Sequence, residues 1–299
     1  MRTIKRIQFF FLTTLAIMLV SCADQKTENE AQIITVSISP QKYFVEALIG
    51  DKATINVMVP NGGSPASYEP SPKQMKNLSN SDLYLSIGHL GFEKAWLPRF
   101  EKGNPELKII DLSQSIDLIE DSHSEDEEVD EGGHHHHGTD PHYWMSPKQA
   151  RKMLAAISST LIMHDNTCKD LINKNRDSLD LVISKLDQEF ETELKQLKNR
   201  KFIIFHPALS YLARDYNLEQ IPMEFEGKEP SPSHLKKIVD RARDENIRML
   251  FIQKEFDIEN AKQLANEIDA DLLQIDPLSV KWFEQMQDIL EKLKKLDNN

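Results

Sequence analysis

The stretch from Cys168 to Lys198, CKDLINKNRDSLDLVISKLDQEFETELKQLK, has the pattern of one long amphipathic helix. Apolar residues recur along it at steps of three and four, and we expect the following ones to face a core: Leu171, Leu179, Val182, Leu186, Phe190 and Leu194. The helical pattern starts earlier, at Pro147, and a break is expected around 164–167. A helix this long exceeds what one small domain needs, so it predicts a connector between two lobes.

Short apolar strands alternate with helical segments on both sides of this connector. Strands are expected before it at 33–38, 54–59, 82–87 and 107–111, and after it at 202–205, 249–252 and 271–275. Because alternating strands and helices form parallel sheets with crossover helices, the sequence predicts two α/β lobes bridged by a long rigid helix. Ligands of such folds bind beyond the carboxyl ends of the strands, so the cleft between the lobes is the expected site.

The N-terminus has the features of an export signal. Three basic residues, Arg2, Lys5 and Arg6, precede an apolar run over 7–20 that is too short to cross a bilayer comfortably. The run leads into Leu-Val-Ser-Cys, which resembles a bacterial lipoprotein box with Cys22 as the lipidated residue; the alternative is a plain signal peptide with an incidental cysteine. We therefore expect a protein held outside the cytoplasm by a lipid anchor, in the periplasm or at the cell surface.

These patterns divide the chain into five parts. We predict a signal peptide over 1–21, a polar tether over 22–32, an N-terminal lobe over 33–146 with a His- and acid-rich loop at 117–139, a helical segment over 147–199 that includes the connecting helix, and a C-terminal lobe over 200–299. A chain of 299 residues is long enough for two such lobes.

Charge is concentrated in one stretch of this chain, whose formal net charge is −12. Between Ile109 and Pro147 there are eleven acidic residues, no Lys or Arg, and six of the ten histidines. Phosphate contacts need Lys and Arg, so we expect no nucleic-acid partner. Five of these histidines lie in a segment without apolar periodicity, which predicts a disordered loop: His123, His134, His135, His136 and His137. Clustered imidazoles favour Zn²⁺, Ni²⁺ or Cu²⁺ over Mn²⁺, so this loop is expected to capture or buffer metal at low affinity.

Three polar residues stand where strands or loops end, and they are candidates for a tight metal site. His142 precedes a helix that begins at Pro147, while His206 and Asp276 follow the apolar strands ending near 205 and 275. Each one alone is more typical of a cap or a solvated loop residue. Together, two imidazoles and a carboxylate from both lobes suit a divalent cation such as Zn²⁺, which takes nitrogen and oxygen ligands.

At this point the chain resembles the solute-binding lipoproteins of bacterial zinc and manganese ABC importers, the ZnuA/TroA-like family. The resemblance covers nearly the whole mature chain and includes five motifs in the family's order: GSP at 63–65 with YEPSP at 68–72, DPHYWMSP at 140–147, FHPAL at 205–209, GKEPSP at 227–232 and IDPL at 275–278. It implies two α/β lobes bridged by a long rigid helix, with a metal in the interlobe cleft.

The resemblance also implies a ligand set. His142 and His206 match the second and third family ligands, and Asp276 matches the carboxylate that often completes the set. The first ligand is usually a His directly after Ser-Pro in the early loop, and that position here is Ala66. We expect His89, which follows a predicted strand, to supply the missing ligand. The alternatives are Glu69, which lies in the same loop as Ala66, a water ligand, or metal delivered by the histidine loop.

Two further residues are expected beside this site. Glu255 and Gln253 follow a predicted strand end, so we expect one or the other to line the cleft, and hydrogen bonding to a metal ligand is favoured over direct metal binding. By its family resemblance the protein is expected to be a monomer that captures Zn²⁺ and delivers it to an ABC permease and its ATPase, and not an enzyme.

Other functions remain open on the sequence alone. The same fold also carries manganese or iron, for which Mn²⁺ would want an oxygen-rich set of ligands. A zinc hydrolase would need an open metal position and a general base, and no HExxH motif is present. A metal buffer or an adhesin-like surface protein without a transporter is the fourth alternative.

Overall fold

The computed structural model describes residues 32–120, 138–224 and 230–297 of the chain. The part from Gln32 to the C-terminus forms one compact unit. The predicted signal peptide, Cys22 and the histidines His123 and His134 to His137 lie outside the described residues. Within the described ranges, no helix combines the length and the apolar character needed to span a bilayer.

The N-terminal sheet has four parallel strands in the order β2-β1-β3-β4. Its elements follow one another along the chain as β1 (Gln32–Ile38), α1 (Ser39–Ile49), β2 (Ala53–Val59), α2 (Pro72–Ser79), β3 (Leu83–Ser86), α3 (Gly91–Gly103) and β4 (Lys108–Asp111). Each strand is followed by a crossover that returns the chain to the same end of the sheet, as parallel pairing requires. The carboxyl ends of all four strands therefore meet at one edge.

The C-terminal sheet repeats this topology, with four parallel strands in the order β6-β5-β7-β8. Its elements are β5 (Lys201–Ile204), α6 (Ser210–Asp215), β6 (Glu219–Pro222), α7 (Pro232–Asp244), β7 (Met249–Gln253), α8 (Ile258–Glu267), β8 (Asp271–Ile275) and α9 (Trp282–Leu293). The predicted α/β class with two parallel sheets flanked by helices is confirmed. The exact domain boundaries stay predictions.

Two helices lie between the sheets in the sequence, α4 (Pro147–His164) and α5 (Lys169–Lys195). The break expected between them is confirmed. Helix α5 packs against α4, against α1 of the N-terminal half and against α9 of the C-terminal half. It is therefore the connector that the sequence predicts.

The buried face of α5 differs from the predicted one at two positions. Leu171 and Val182 are 37% and 40% exposed, and their neighbours Ile172 and Ile183 are buried instead. The buried residues of the helix are Ile172, Leu179, Ile183, Leu186, Phe190 and Leu194. Ile172 lies two helical turns before Leu179 and Ile183 lies one turn after it, so these two isoleucines continue the buried stripe. Leu171 and Val182, which directly precede them, lie outside that stripe.

Two tryptophans join the segment before α4 to the segment before α9. The indole nitrogen Nε1 of Trp144 donates to the carbonyl of Pro277 at 2.8 Å, and Nε1 of Trp282 donates to the carbonyl of Trp144 at 2.7 Å. Both indoles are fully buried, and the Trp282 ring lies 5.0 Å from the ring of Phe44 on α1. Buried indole N–H groups need acceptors, so this pair fixes the two halves of the protein against each other.

A buried carboxyl group shapes the loop after β3. Glu93, in the first turn of α3, accepts hydrogen bonds from the backbone nitrogen of Ile87 at 2.7 Å and from the hydroxyl of Ser37 through Oε1. Its Oε2 is buried and finds no hydrogen-bond partner among the residues of the described ranges. Burial raises the pKa of Glu93 to about 7, against the lowering effect of its hydrogen bonds, and Asp111 adds to the rise.

We expect this group to make the protein less stable as the pH rises. A carboxyl group whose native pKa is raised from 4.5 to about 7 binds its proton more tightly in the native state, so the free energy of unfolding falls between those pH values and is constant above them. The loss is about 3 kcal/mol, because one pKa unit corresponds to about 1.4 kcal/mol.

Urea unfolding at pH 5 and pH 8 measures this dependence. The variant Glu93→Gln should lose most of the difference between the two pH values, whereas Glu101→Gln, an exposed residue of the same helix, should keep it. Equal pH dependence in the wild type and in Glu93→Gln would contradict the assignment.

Candidate metal centre

His142 is held by a buried aspartate two residues before it. Asp140 Oδ1 accepts hydrogen bonds from the backbone nitrogen of His142 and from His142 Nδ1, both at 2.8 Å. Burial raises the pKa of Asp140, but the charge and hydrogen bond of His142, with a hydrogen bond from Ser210, outweigh this effect and hold that pKa below its usual value. Asp140 is therefore an ionised acceptor at neutral pH, so Nδ1 of His142 must carry the proton.

His206 is held in a similar way just beyond the end of β5. Its Nδ1 lies 2.6 Å from Glu224 Oε2, and Glu224 follows the neighbouring strand β6. The side-chain amide of Gln253, at the end of β7, makes two hydrogen bonds to the backbone of His206. Its Oε1 accepts from the His206 nitrogen at 3.3 Å, and its Nε2 donates to the His206 carbonyl at 2.6 Å. Residues at the ends of the two strands that flank β5 therefore hold His206, one at its ring and one at its backbone.

The two imidazoles face each other. His142 Nε2 and His206 Nε2 lie 3.3 Å apart, and the ring centroids are 5.0 Å apart. Because a carboxylate accepts from each Nδ1, both Nε2 atoms of the neutral rings are acceptors with lone pairs directed at the same space. Two acceptors cannot hydrogen-bond to each other, so this arrangement calls for a proton or a cation between them.

The separation suits a tetrahedral cation. Zn²⁺ binds imidazole nitrogen at about 2.0–2.1 Å, and two ligands in tetrahedral geometry are then about 3.3–3.4 Å apart. The Nε2 atoms have this spacing at 3.3 Å. A carboxylate behind each ring is also the usual partner of a metal-binding histidine, because it orients the ring and makes the nitrogen more basic.

Two more carboxylates come from the remaining strand ends of the C-terminal sheet. Glu255 follows β7 and Asp276 follows β8. Burial raises the pKa of Glu255; the charge of His206 lowers it and that of Asp276 raises it further, so Glu255 is within electrostatic reach of both. The amino group of Lys254 lies 3.2 Å from Asp276 Oδ2. Each strand of this sheet thus supplies a polar residue to one edge, as the fold predicts.

The early loop and His89 are not joined to the imidazole pair. His89 is half-buried with a positive φ of 65°, and no hydrogen bond or ring contact among the described residues links it to His142 or His206. Ala66 and Glu69 are exposed. In residues 32–120, 138–224 and 230–297 no group of three or more His, Cys, Asp or Glu side chains has a metal-binding arrangement. The assignments of His89, Glu69 and Asp276 as ligands therefore stay predictions.

Glu224 is a site residue that the sequence analysis missed. It follows β6, and the sequence of that strand, Glu-Gln-Ile-Pro, lacks the apolar run that marks the other strands of the sheet. A charged residue directly after a strand can indicate a site residue. Glu224 was not recognised in this way because the strand before it, β6, was not predicted. Asp140 was present in a recognised motif, yet its role as the partner of His142 appears only in the structure.

The fold and the site define a two-lobed metal-binding protein of the α/β class. The family model described as "Zinc-uptake complex component A periplasmic", ZnuA, matches residues 34–296, so the chain belongs to this family. This confirms the resemblance found in the sequence. Proteins of this family are solute-binding components of metal importers and not enzymes.

Individual relatives agree with this family. The high-affinity zinc uptake system protein ZnuA of Bacillus subtilis is 28% identical over 87% of this chain and 85% of its own length. A crystal structure of a ZnuA deletion mutant with zinc bound superposes with a TM-score of 0.80 at 36% identity, covering 90% of this chain and 98% of that one. The manganese-binding lipoprotein MntA of Halalkalibacterium halodurans is 21% identical over 82% of this chain and 79% of its own.

We expect the carboxylate behind His206 to strengthen metal binding. Glu224→Gln keeps the shape of the side chain but removes the charge that fixes and polarises the ring, so zinc affinity should fall by about 10- to 100-fold. Competitive titration against a chromophoric chelator measures this loss. Glu245→Gln, which removes a carboxylate from a surface ion pair with Lys201, is the control and should bind as the wild type does. Equal affinities in the two variants would argue against a role for Glu224.

Proposed function

We propose that this protein is the extracytoplasmic substrate-binding component of a metal ABC importer, and that it captures Zn²⁺ and delivers it to the permease and its ATPase. The observation that carries the proposal is the pair of Nε2 atoms of His142 and His206, held 3.3 Å apart with a carboxylate on each opposite nitrogen. Family membership supports the importer, since the family model describes a zinc-uptake component.

The ligand chemistry favours zinc over manganese. Two nitrogen ligands already face the site, and imidazole suits Zn²⁺, whereas Mn²⁺ prefers carboxylate, carbonyl and water oxygens. A zinc-bound structure of a relative at 36% identity supports the same metal. Manganese or iron is the second candidate, because Glu255 and Asp276 follow neighbouring strands of the same sheet edge as His206 and offer oxygen atoms, and because a relative is named as manganese-binding.

The proposed ligands are His142, His206 and Asp276, with His89 in the position that Ala66 leaves vacant. Glu69, a water ligand or metal delivered by the histidine loop are the alternatives for that position. His142 reaches the N-terminal half through its neighbour Tyr143, whose hydroxyl donates to the carbonyl of Ile87 at 2.9 Å. His206 and Asp276 belong to the C-terminal sheet, so the metal is proposed to bridge the two halves.

Capture is proposed to take place outside the cytoplasm. The proposal also includes an export signal over 1–21, lipidation at Cys22 and a monomeric state. The relative MntA of Halalkalibacterium halodurans is named as a lipoprotein, which supports the anchor. The loop bearing His123 and His134 to His137 is proposed to collect metal at low affinity.

Replacement of either facing histidine tests the site. His142→Ala and His206→Ala should each abolish tight zinc binding in calorimetry, because one remaining imidazole cannot hold the ion in the same way. His164→Ala, at the end of α4, is the control and should keep the tight site. Mn²⁺ should compete with Zn²⁺ only when present in large excess.

The same titration assigns the first ligand position. If His89→Ala binds zinc at least about tenfold more weakly than the wild type, His89 is the ligand in the position that Ala66 leaves vacant. Unchanged affinity in His89→Ala would exclude His89 and leave Glu69 or water there. An unchanged zinc affinity in His142→Ala would contradict the assignment of the whole site.

Deletion of residues 122–137 separates the loop from the tight site. The deleted protein should lose the additional, low-affinity zinc equivalents and keep one tight equivalent, because both facing histidines remain. Calorimetric stoichiometry with and without the loop measures this difference. Loss of the tight equivalent would place the principal site in the loop and contradict the proposal.

A further inference from the structure

A lysine stands in direct contact with a proposed ligand carboxylate. Lys254 lies in the sequence between Gln253, whose amide donates to the carbonyl of His206, and Glu255, whose pKa responds to the charges of His206 and Asp276. Its amino group is 3.2 Å from Asp276 Oδ2. An ammonium group at this position competes with a metal ion for the same oxygen.

The backbone of Lys254 is fixed while its head group is free to leave. Its nitrogen donates to the carbonyl of Ile275 at 3.1 Å, which extends the pairing of β7 with β8 by one residue. The lysine side chain is 60% exposed, whereas the Asp276 side chain is 15% exposed. A solvated ammonium can exchange its carboxylate for water at little cost, so the pair can open when another cation arrives.

The competition affects metals unequally. A cation held chiefly by imidazole nitrogen loses little when one carboxylate is shared with an ammonium group. A cation that relies on oxygen ligands loses more, and Mn²⁺ has this preference while Zn²⁺ suits imidazole. The positive charge of the lysine also repels any divalent ion, which shortens the lifetime of the bound state for both metals.

We propose that Lys254 is a specificity-determining residue, which pairs with Asp276 in the metal-free protein and disfavours Mn²⁺ relative to Zn²⁺ in the site. The inference rests on the proposed function, because it concerns the same site. On metal entry the ammonium leaves Asp276, and on metal release it returns to it. The lysine thus keeps the carboxylate neutralised between two rounds of transport.

The test compares the affinities for Zn²⁺ and Mn²⁺ in matched variants, each ion being titrated alone against a chelator. Lys254→Met removes the charge and keeps the length of the side chain, so Zn²⁺ should bind about threefold more tightly and Mn²⁺ about tenfold or more. Lys254→Arg keeps the charge and should retain the wild-type ratio of the two affinities. Lys262→Met is the control, since Lys262 pairs with Glu259 on the exposed face of α8.

The ratio of the two affinities decides the outcome, because a merely structural role would change both metals alike. An unchanged ratio in Lys254→Met, or weaker binding of both ions, would overturn the inference. In an Asp276→Asn background the effect of Lys254→Met on the ratio should disappear, and its persistence there would also count against the pair.

Failure of this inference is distinct from failure of the proposed function. The proposed function fails when the wild type binds no zinc, or when His142→Ala still binds it tightly. A wild type that binds zinc through His142, combined with an unchanged metal ratio in Lys254→Met, overturns the inference alone.

Discussion

The structure depends on keeping two acceptor nitrogens, His142 Nε2 and His206 Nε2, 3.3 Å apart. Lone pairs at this distance repel each other unless a proton or a cation lies between them, so the surrounding chain must hold both rings in place. Asp140 and Glu224 fix the far nitrogen of each ring, and the amide of Gln253 fixes the backbone of His206. A site prepared in this way loses little conformational freedom when a metal binds, which favours tight binding.

The same constraint explains the two buried tryptophans. Trp144 lies two residues after His142, and its indole donates to the carbonyl of Pro277, the residue after Asp276. One hydrogen bond thus ties together the segments that carry two proposed ligands from different halves of the protein. Helix α5 packs against both halves as well. Because the halves are joined beside the site and along the helix, we propose that metal release uses small movements of loops and side chains rather than wide opening.

The sequence predicted the fold well where burial dictates a pattern. Apolar strands alternating with helices and the long α5 both follow from the sequence, because they bury continuous apolar surface. It failed where other interactions decide. Helix α3 (Gly91–Gly103) contains Pro98 and begins just after His89 in a positive-φ conformation, and β6 is mostly polar, so neither has a clear period. The spacing of Leu171 and Val182 also fitted a buried stripe, but in the structure Ile172 and Ile183 occupy that stripe instead.

The facing histidines of the candidate site were predictable from the sequence, but the residues that orient them were not. His142 and His206 stand at recognisable motif positions, whereas Glu224 comes from a distant part of the chain and reaches His206 only through the pairing of β6 with β5. This difference bears on metal choice. A carboxylate behind a metal-binding imidazole strengthens nitrogen as a ligand, and in our proposal the ammonium group of Lys254 weakens the Asp276 oxygen as a ligand. Both effects would act in the direction of zinc, and they would arise from residues that do not touch the metal themselves. On this proposal, selectivity is a property of the groups around the ligands as much as of the ligands.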